Sequence, residues 1–164
     1  MTRKHAAQDN EALVRALVEA RFEFAVVGGV AAVLHGATRL TVDLDLAAPF
    51  TVENLQRLRT ALAPLHPVHA TRPDLAFLDE PMERLVTFRL FLIETDLGRL
   101  DILRELAPLG GFEALRTVEM ELLGTRVKVL ERGQLIEVKR AAGRTKDIEV
   151  VLELEALAER ERGS

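Results

Sequence analysis

Asp43 and Asp45 stand two residues apart in the run VDLDL, whose other members are Val42, Leu44 and Leu46. Side chains alternate across a strand, so a strand over residues 41–47 sends both carboxylates to one face and the aliphatic side chains to the other. A strand this apolar belongs in a core, where an isolated carboxylate is too costly to keep charged. The two acids must therefore be paired, protonated or bound to a metal. The pattern describes half of a metal site.

The flanking residues bear on that reading. Residues 24–27 form a short β-branched run that ends in Gly28 and Gly29, and residues 30–34 read as a helix closed by His35 and Gly36. Glycine at a strand-to-helix turn lets the backbone approach a ligand, and the helix that follows offers free amide N–H groups. A triphosphate suits this geometry, although an ordinary tight turn has the same residues. Arg39 and Thr41 come just before the acids. Residues 85–93 are apolar on both faces, as a central strand should be, and after a turn at 95–98 the chain returns over 99–103. Asp101 lies in that return among apolar neighbours. If the hairpin continues the sheet of Asp43 and Asp45, three carboxylates converge.

The remaining segments read mainly as packing. Leu13, Val14, Leu17 and Val18 give the apolar face of a helix over 9–22, capped by Asp9 or Asn10, and Thr51 opens a second helix that Pro64 stops. Residues 64–84, with four prolines, predict a loop with at most a short strand near Val68. His66 and His69 lack the surrounding ligand pattern of a metal site. Strands are expected at 118–122 and 126–130, a short helix after Gly110 and Gly111, and two C-terminal helices separated by Gly143, with the last residues, AERERGS, frayed. Lys139, Arg140, Arg144 and Lys146 cluster where those helices meet, either as solvated charge or as a phosphate-facing patch.

Composition narrows the function. The chain of 164 residues suits one domain, with its core over about 10–158. It has no Trp or Tyr for base stacking, and its net charge of -4 argues against a broad nucleic-acid footprint. The absence of cysteine excludes disulfides, thiolate zinc sites and thiol nucleophiles. Neither a signal-like apolar run nor a stretch near the ~20 residues of a membrane span occurs, so the expectation is a cytoplasmic protein without membrane contact.

Gly28-Gly29, Asp43-Leu44-Asp45 and the later Asp101 together resemble the signature of the nucleotidyltransferase superfamily, which has the polymerase-beta-like fold. The segments HGATRLTVDLDL and LIEVKRAAGRTKD are more narrowly similar to small prokaryotic members related to abortive-infection and type IV toxin–antitoxin nucleotidyltransferases. The resemblance spans residues 24–157 in element order. It implies an α+β fold, a mixed β-sheet with packed helices in a single domain. It also implies transfer of a nucleoside monophosphate from an NTP to a hydroxyl, with two Mg2+ ions, or Mn2+ in their place. Asp43, Asp45 and Asp101 would be the catalytic acids and metal ligands. Gly28 and Gly29 would cradle phosphates, Lys139 and Arg144 would reach the triphosphate, and Arg39, Thr41 and Asp147 would support the nucleotide. The acceptor implied is RNA or protein, with an antibiotic as a further candidate, and a partner chain or homodimer could complete its site. The rival expectation is a module of a toxin–antitoxin or defence system that binds a nucleotide or a partner without turnover.

Overall fold

The computed structural model describes residues 6–39 and 43–163. Thr41, expected at the site, lies outside the described residues, as does Val42. The chain opens with α1 (Asn10–Glu19), whose N-terminus is capped by the Asp9 carboxylate accepting from the Ala12 amide at 3.0 Å. Next come β1 (Ala25–Val27), α2 (Gly28–Leu34), β2 (Leu44–Ala47) and α3 (Val52–Leu62), the last capped by Thr51 as its sequence predicts. An edge hairpin, β3 (Val68–His69) and β4 (Arg72–Ala76), leads through α4 (Met82–Leu85) to the long pair β5 (Leu90–Thr95) and β6 (Gly98–Leu103). A small separate hairpin, β7 (Glu105–Leu106) and β8 (Gly110–Gly111), precedes β9 (Thr117–Leu122) and β10 (Thr125–Leu130). Two helices end the chain, α5 (Arg132–Ala142) and α6 (Thr145–Arg162), with Gly143 between them at φ +69° as the left-handed cap.

Eight strands form one sheet in the order β4-β3-β5-β6-β2-β1-β10-β9. The β2–β6 and β1–β10 pairs are parallel and the others antiparallel, so the sheet is mixed. Parallel neighbours need crossovers, and the helices between them supply these. Helix α2 packs on β1 and β2, α5 packs on α2, and α6 on α5; α1 packs on α3. Leu44, Leu46, Leu100, Ile102, Phe91 and Ile93 are all fully or almost fully buried in one continuous core with Leu13, Leu17, Leu55 and Leu58. The α+β architecture with a mixed sheet is the one expected.

Four local expectations change. Residues 85–89 are not strand: Pro81 starts a helical turn and Leu85 is buried from it, so β5 begins only at Leu90. Nor is β5 buried on both faces, since its residues alternate between core and partial exposure. The proline-rich 64–84 segment holds a true edge hairpin, with Pro73 tolerated because β4 is the outermost strand. At the C-terminus the helix runs on to Arg162 instead of fraying after Leu157, with Arg132 paired to Glu161 at 2.9 Å.

Asn54 is the buried polar residue that ties this frame together. Its side chain accepts from the Glu23 amide at 2.7 Å and donates to the Glu23 and Pro49 carbonyls, both at 3.0 Å. It thereby fixes α3 to the links before β1 and after β2. Asn54→Leu would leave these backbone groups unpaired in the interior and should cost about 2–4 kcal/mol in urea unfolding; a loss below about 0.5 kcal/mol, the usual scale of a surface change, would contradict this role.

Candidate active site

The sheet register brings the acids together. Asp45 sits in β2 between two neighbours, with Val27 of β1 opposite on one side and Asp101 of β6 opposite on the other. The hairpin of β5 and β6 therefore continues into the strand of Asp45, and Asp45 and Asp101 are direct register partners. Asp43 stands in a bend just before β2, exposed, so it precedes the strand in which it was expected. Its charge nevertheless reaches Asp45. Burial first, then the charges of Asp101 and Asp43, together raise the Asp45 carboxyl from 3.8 to about 6, against smaller opposing effects of Lys139 and Arg99.

Gly28 is required here for two reasons. Its φ of +65° is a backbone conformation that favours glycine, and a Cβ at this position would come 2.5 Å from Asp45 Oδ2. The glycine turn thus makes room for the Asp45 carboxylate as well as facing the cavity beside it.

That cavity, about 450 Å³, is where most of the expected site residues meet: Gly28, Gly29, Arg39, Asp43, Asp45, Lys139, Arg144 and Asp147 all line it. Lys146 joins them. Arg140 does not belong to this group; it turns outward to pair with Glu155, so the basic patch read from the sequence divides between site and surface. His66 and His69 are also separate: His66 bonds Asp96 at 2.6 Å, whereas His69 stands beside the rings of Phe77 and Phe88.

Asp147 organises the cationic wall. It is 2% exposed, yet its carboxylate takes hydrogen bonds from Arg144 at 2.6 and 3.3 Å, and Lys139 Nζ lies 3.6 Å away. Burial works against its ionisation, but the Arg144 hydrogen bond and the charges of Arg144 and Lys139 outweigh it and hold the carboxyl below its ordinary value. Arg39, also in the cavity lining, pairs with Glu149 of α6, and Glu153 one turn on accepts from both the amide and the hydroxyl of Thr38. Glu149 and Glu153 are thus clamps for the segment leading to the acids. Their i,i+4 spacing was visible in the sequence, but their target was not.

The rest of the cavity wall is aliphatic, with Leu103, Leu106, Leu135, Val138 and Val150. Asp101 lies outside this lining, and Arg99 Nε donates to Asp101 Oδ1 at 3.0 Å. Among the described residues, no three His, Cys, Asp or Glu side chains gather as a group that could hold a metal ion in this conformation. The donor set is still suited to one: the nearby ligands are hard carboxylate oxygens, two of them in register, and the repulsion between them is relieved by a cation.

No family model matches the chain, and no curated protein does. Solved structures do share its fold. The aminoglycoside-modifying nucleotidyltransferase ANT(2'')-Ia, in complex with adenylyl-2''-tobramycin, superposes with a TM-score of 0.54 at 20% identity, over 93% of this chain and 95% of that one. An antigenic nucleotidyltransferase-like protein from Paracoccidioides brasiliensis gives 0.56 at 17% identity, over 92% and 78%. The fold of the chain is that of the nucleotidyltransferases. Among the described residues, no helix is long and apolar enough to cross a membrane.

The raised Asp45 carboxyl makes a prediction of definite sign. Its folded value lies above its unfolded one, so ionised Asp45 costs stability above pH 6, and the cost fades as pH falls towards 3.8. Without divalent ions, Asp45→Asn should therefore be the more stable protein at pH 8, by about 1–2 kcal/mol after allowance for solvent screening. Thermal melting from pH 8 to pH 4 should show the two proteins converging; equal stability at pH 8 would refute the assigned environment.

Proposed function

We propose that this chain is a metal-dependent nucleotidyltransferase that moves a nucleoside monophosphate from an NTP to a hydroxyl acceptor. The observation that carries the reading is the in-register Asp45–Asp101 pair at the edge of a cavity with a cationic wall. In the reaction the acceptor oxygen bonds to the α-phosphorus while the bond to the β-phosphate's bridging oxygen breaks, and pyrophosphate leaves. Bound Mg2+, or Mn2+ in its place, would supply charge neutralisation on the phosphates and activation of the acceptor hydroxyl, with two ions expected.

Asp43 and Asp45 would hold both ions, and Asp101 the one on the acceptor side, where it would also take the acceptor proton. Lys139 and Arg144 would bind the leaving phosphates, oriented by the buried Asp147. Gly28 and Gly29 offer backbone N–H groups at the cavity, Arg39 adds charge to its lining, and Thr41 is proposed on the nucleotide side from its sequence position alone. Such a site works by positioning and electrostatic stabilisation.

RNA and protein remain acceptors to test, and a role in toxin or defence systems rests on the sequence resemblance. A small hydroxyl compound is a second reading with its own support: the chain spans 95% of ANT(2'')-Ia, whose structure contains an adenylylated aminoglycoside. A chain of this length can accordingly be proposed to hold donor and acceptor without a further domain, although a homodimer or partner chain could contribute.

Incubation of the protein with Mg2+, each α-labelled NTP and fractionated cell extract or amino-sugar acceptors should yield labelled product and pyrophosphate. Asp43→Ala with Asp45→Ala should reduce transfer at least 1000-fold, the order of a lost electrostatic centre, while leaving the circular dichroism spectrum intact. Transfer at the wild-type rate would overturn the assignment; saturable NTP binding without turnover in the wild type would instead support the non-catalytic module.

In the same assay Lys139→Ala should raise KM for NTP by about tenfold or more, the scale of one charge-assisted hydrogen bond. An unchanged KM would remove Lys139 from the triphosphate.

A further inference from the structure

Arg99 was not singled out by the sequence, yet it bonds Asp101, the acid proposed for the acceptor side. It stands two residues before Asp101 along β6 and therefore projects from the same face. Its backbone is fixed: the Arg99 amide donates to Gln8 Oε1, and Gln8 Nε2 donates to the Arg99 carbonyl, both at 2.8 Å. Its side chain is less constrained, being 36% exposed, against 21% for Asp101. Two further carboxylates act on the guanidinium, Asp43 and then Glu94, and of these Glu94 on β5 is its direct cross-strand partner. Cross-strand partners are near enough for a long side chain to reach.

Arg99 and a divalent ion would compete for one carboxylate. While the guanidinium bonds Asp101, it offsets the repulsion between Asp101 and Asp45, and it occupies Oδ1 of Asp101. Among the described residues, no three acids form a metal-binding group in this conformation.

We propose that Arg99 is a positioning residue that stands in for the metal: it holds Asp101 in the metal-free site and transfers its charge to Glu94 when a divalent cation takes Asp101. The inference rests on the reading of Asp101 as a metal ligand, and goes beyond it by assigning an exchange of partners to Arg99 and Glu94. Its physical basis is that a guanidinium can be satisfied by either carboxylate, whereas the cation needs the oxygen-rich side of the pair. The exchange lowers metal affinity in the free protein and keeps the in-register acids compensated until the metal arrives.

The test is Mn2+ binding to the full chain, followed by electron paramagnetic resonance, for wild type, Arg99→Gln, Glu94→Gln and the double variant. Arg99→Gln should bind Mn2+ about three- to tenfold more tightly, the order expected on removing one partly exposed ion pair. Arg99→Lys, which keeps the charge without the planar fork, should fall between. Glu94→Gln should weaken Mn2+ binding about two- to threefold when Arg99 is present and leave it unchanged in the Arg99→Gln background.

Equal affinity of Arg99→Gln and wild type would overturn the proposal. So would equal weakening by Glu94→Gln in both backgrounds, because that is the signature of a simple field effect. Arg99→Met provides a second removal of the ion pair if the Gln variant does not fold. Mn2+ binding by wild type with no coupling between residues 94 and 99 rejects the exchange alone. No Mn2+ binding by any of these proteins rejects the metal-ligand reading together with the exchange.

Discussion

Asp45 and Asp101 are neighbours on two parallel strands in the interior of the sheet, their backbones about 4.8 Å apart, and like charges so placed repel. Most of the site follows from this contact. A sheet stabilised by Leu44, Leu46, Leu100 and Ile102 on the core side brings the two carboxylates together on the other as a consequence of register. A shift of one residue would send either acid into the core and its leucine neighbours to the cleft. The hydrophobic pattern that stabilises the fold therefore also specifies the acid pair, and the pair in turn calls for a compensating charge.

The surroundings divide that compensation. On the side of β1 and the C-terminal helices, the buried Asp147 holds Lys139 and Arg144 at the cavity wall, so cations are presented without being fully neutralised. On the side of β5, Arg99 binds Asp101 directly. Asp45 lies between the two groups, with a carboxyl raised by burial and by its acidic neighbours. The Gly28 turn allows this carboxylate to lie against the backbone, because a Cβ would collide with it. Local backbone geometry, register and electrostatics consequently act at a single point.

Much of this arrangement was legible before the fold was known. Apolar alternation placed Asp45 and Asp101 on strands, and the turn at 95–98 predicted the β5–β6 hairpin that carries Asp101; glycine punctuation marked α2 and the break between α5 and α6. What could not be read locally was long-range pairing. The Arg39–Glu149 and Thr38–Glu153 contacts join residues more than a hundred positions apart, and nothing near either partner announces the other. The edge hairpin at β3 and β4 was hidden because proline suppresses the usual strand pattern, and its tolerance at an outer strand is a property of sheet order. Arg99 was the legible residue passed over: its two-residue spacing from Asp101 already put both on one face. Arg140 erred in the opposite direction, since proximity in sequence to Lys139 did not decide which side of α5 it occupied.

On this reading the Asp45–Asp101 pair and the neighbouring cavity form one metal–nucleotide centre. A crystal grown with Mn2+ and an α,β-nonhydrolysable NTP analogue tests this most directly through anomalous scattering. Anomalous density should touch carboxylate oxygens of Asp45 and Asp101, with the triphosphate against Lys139 and Arg144. Nucleotide bound elsewhere, or metal density remote from both aspartates, would contradict it.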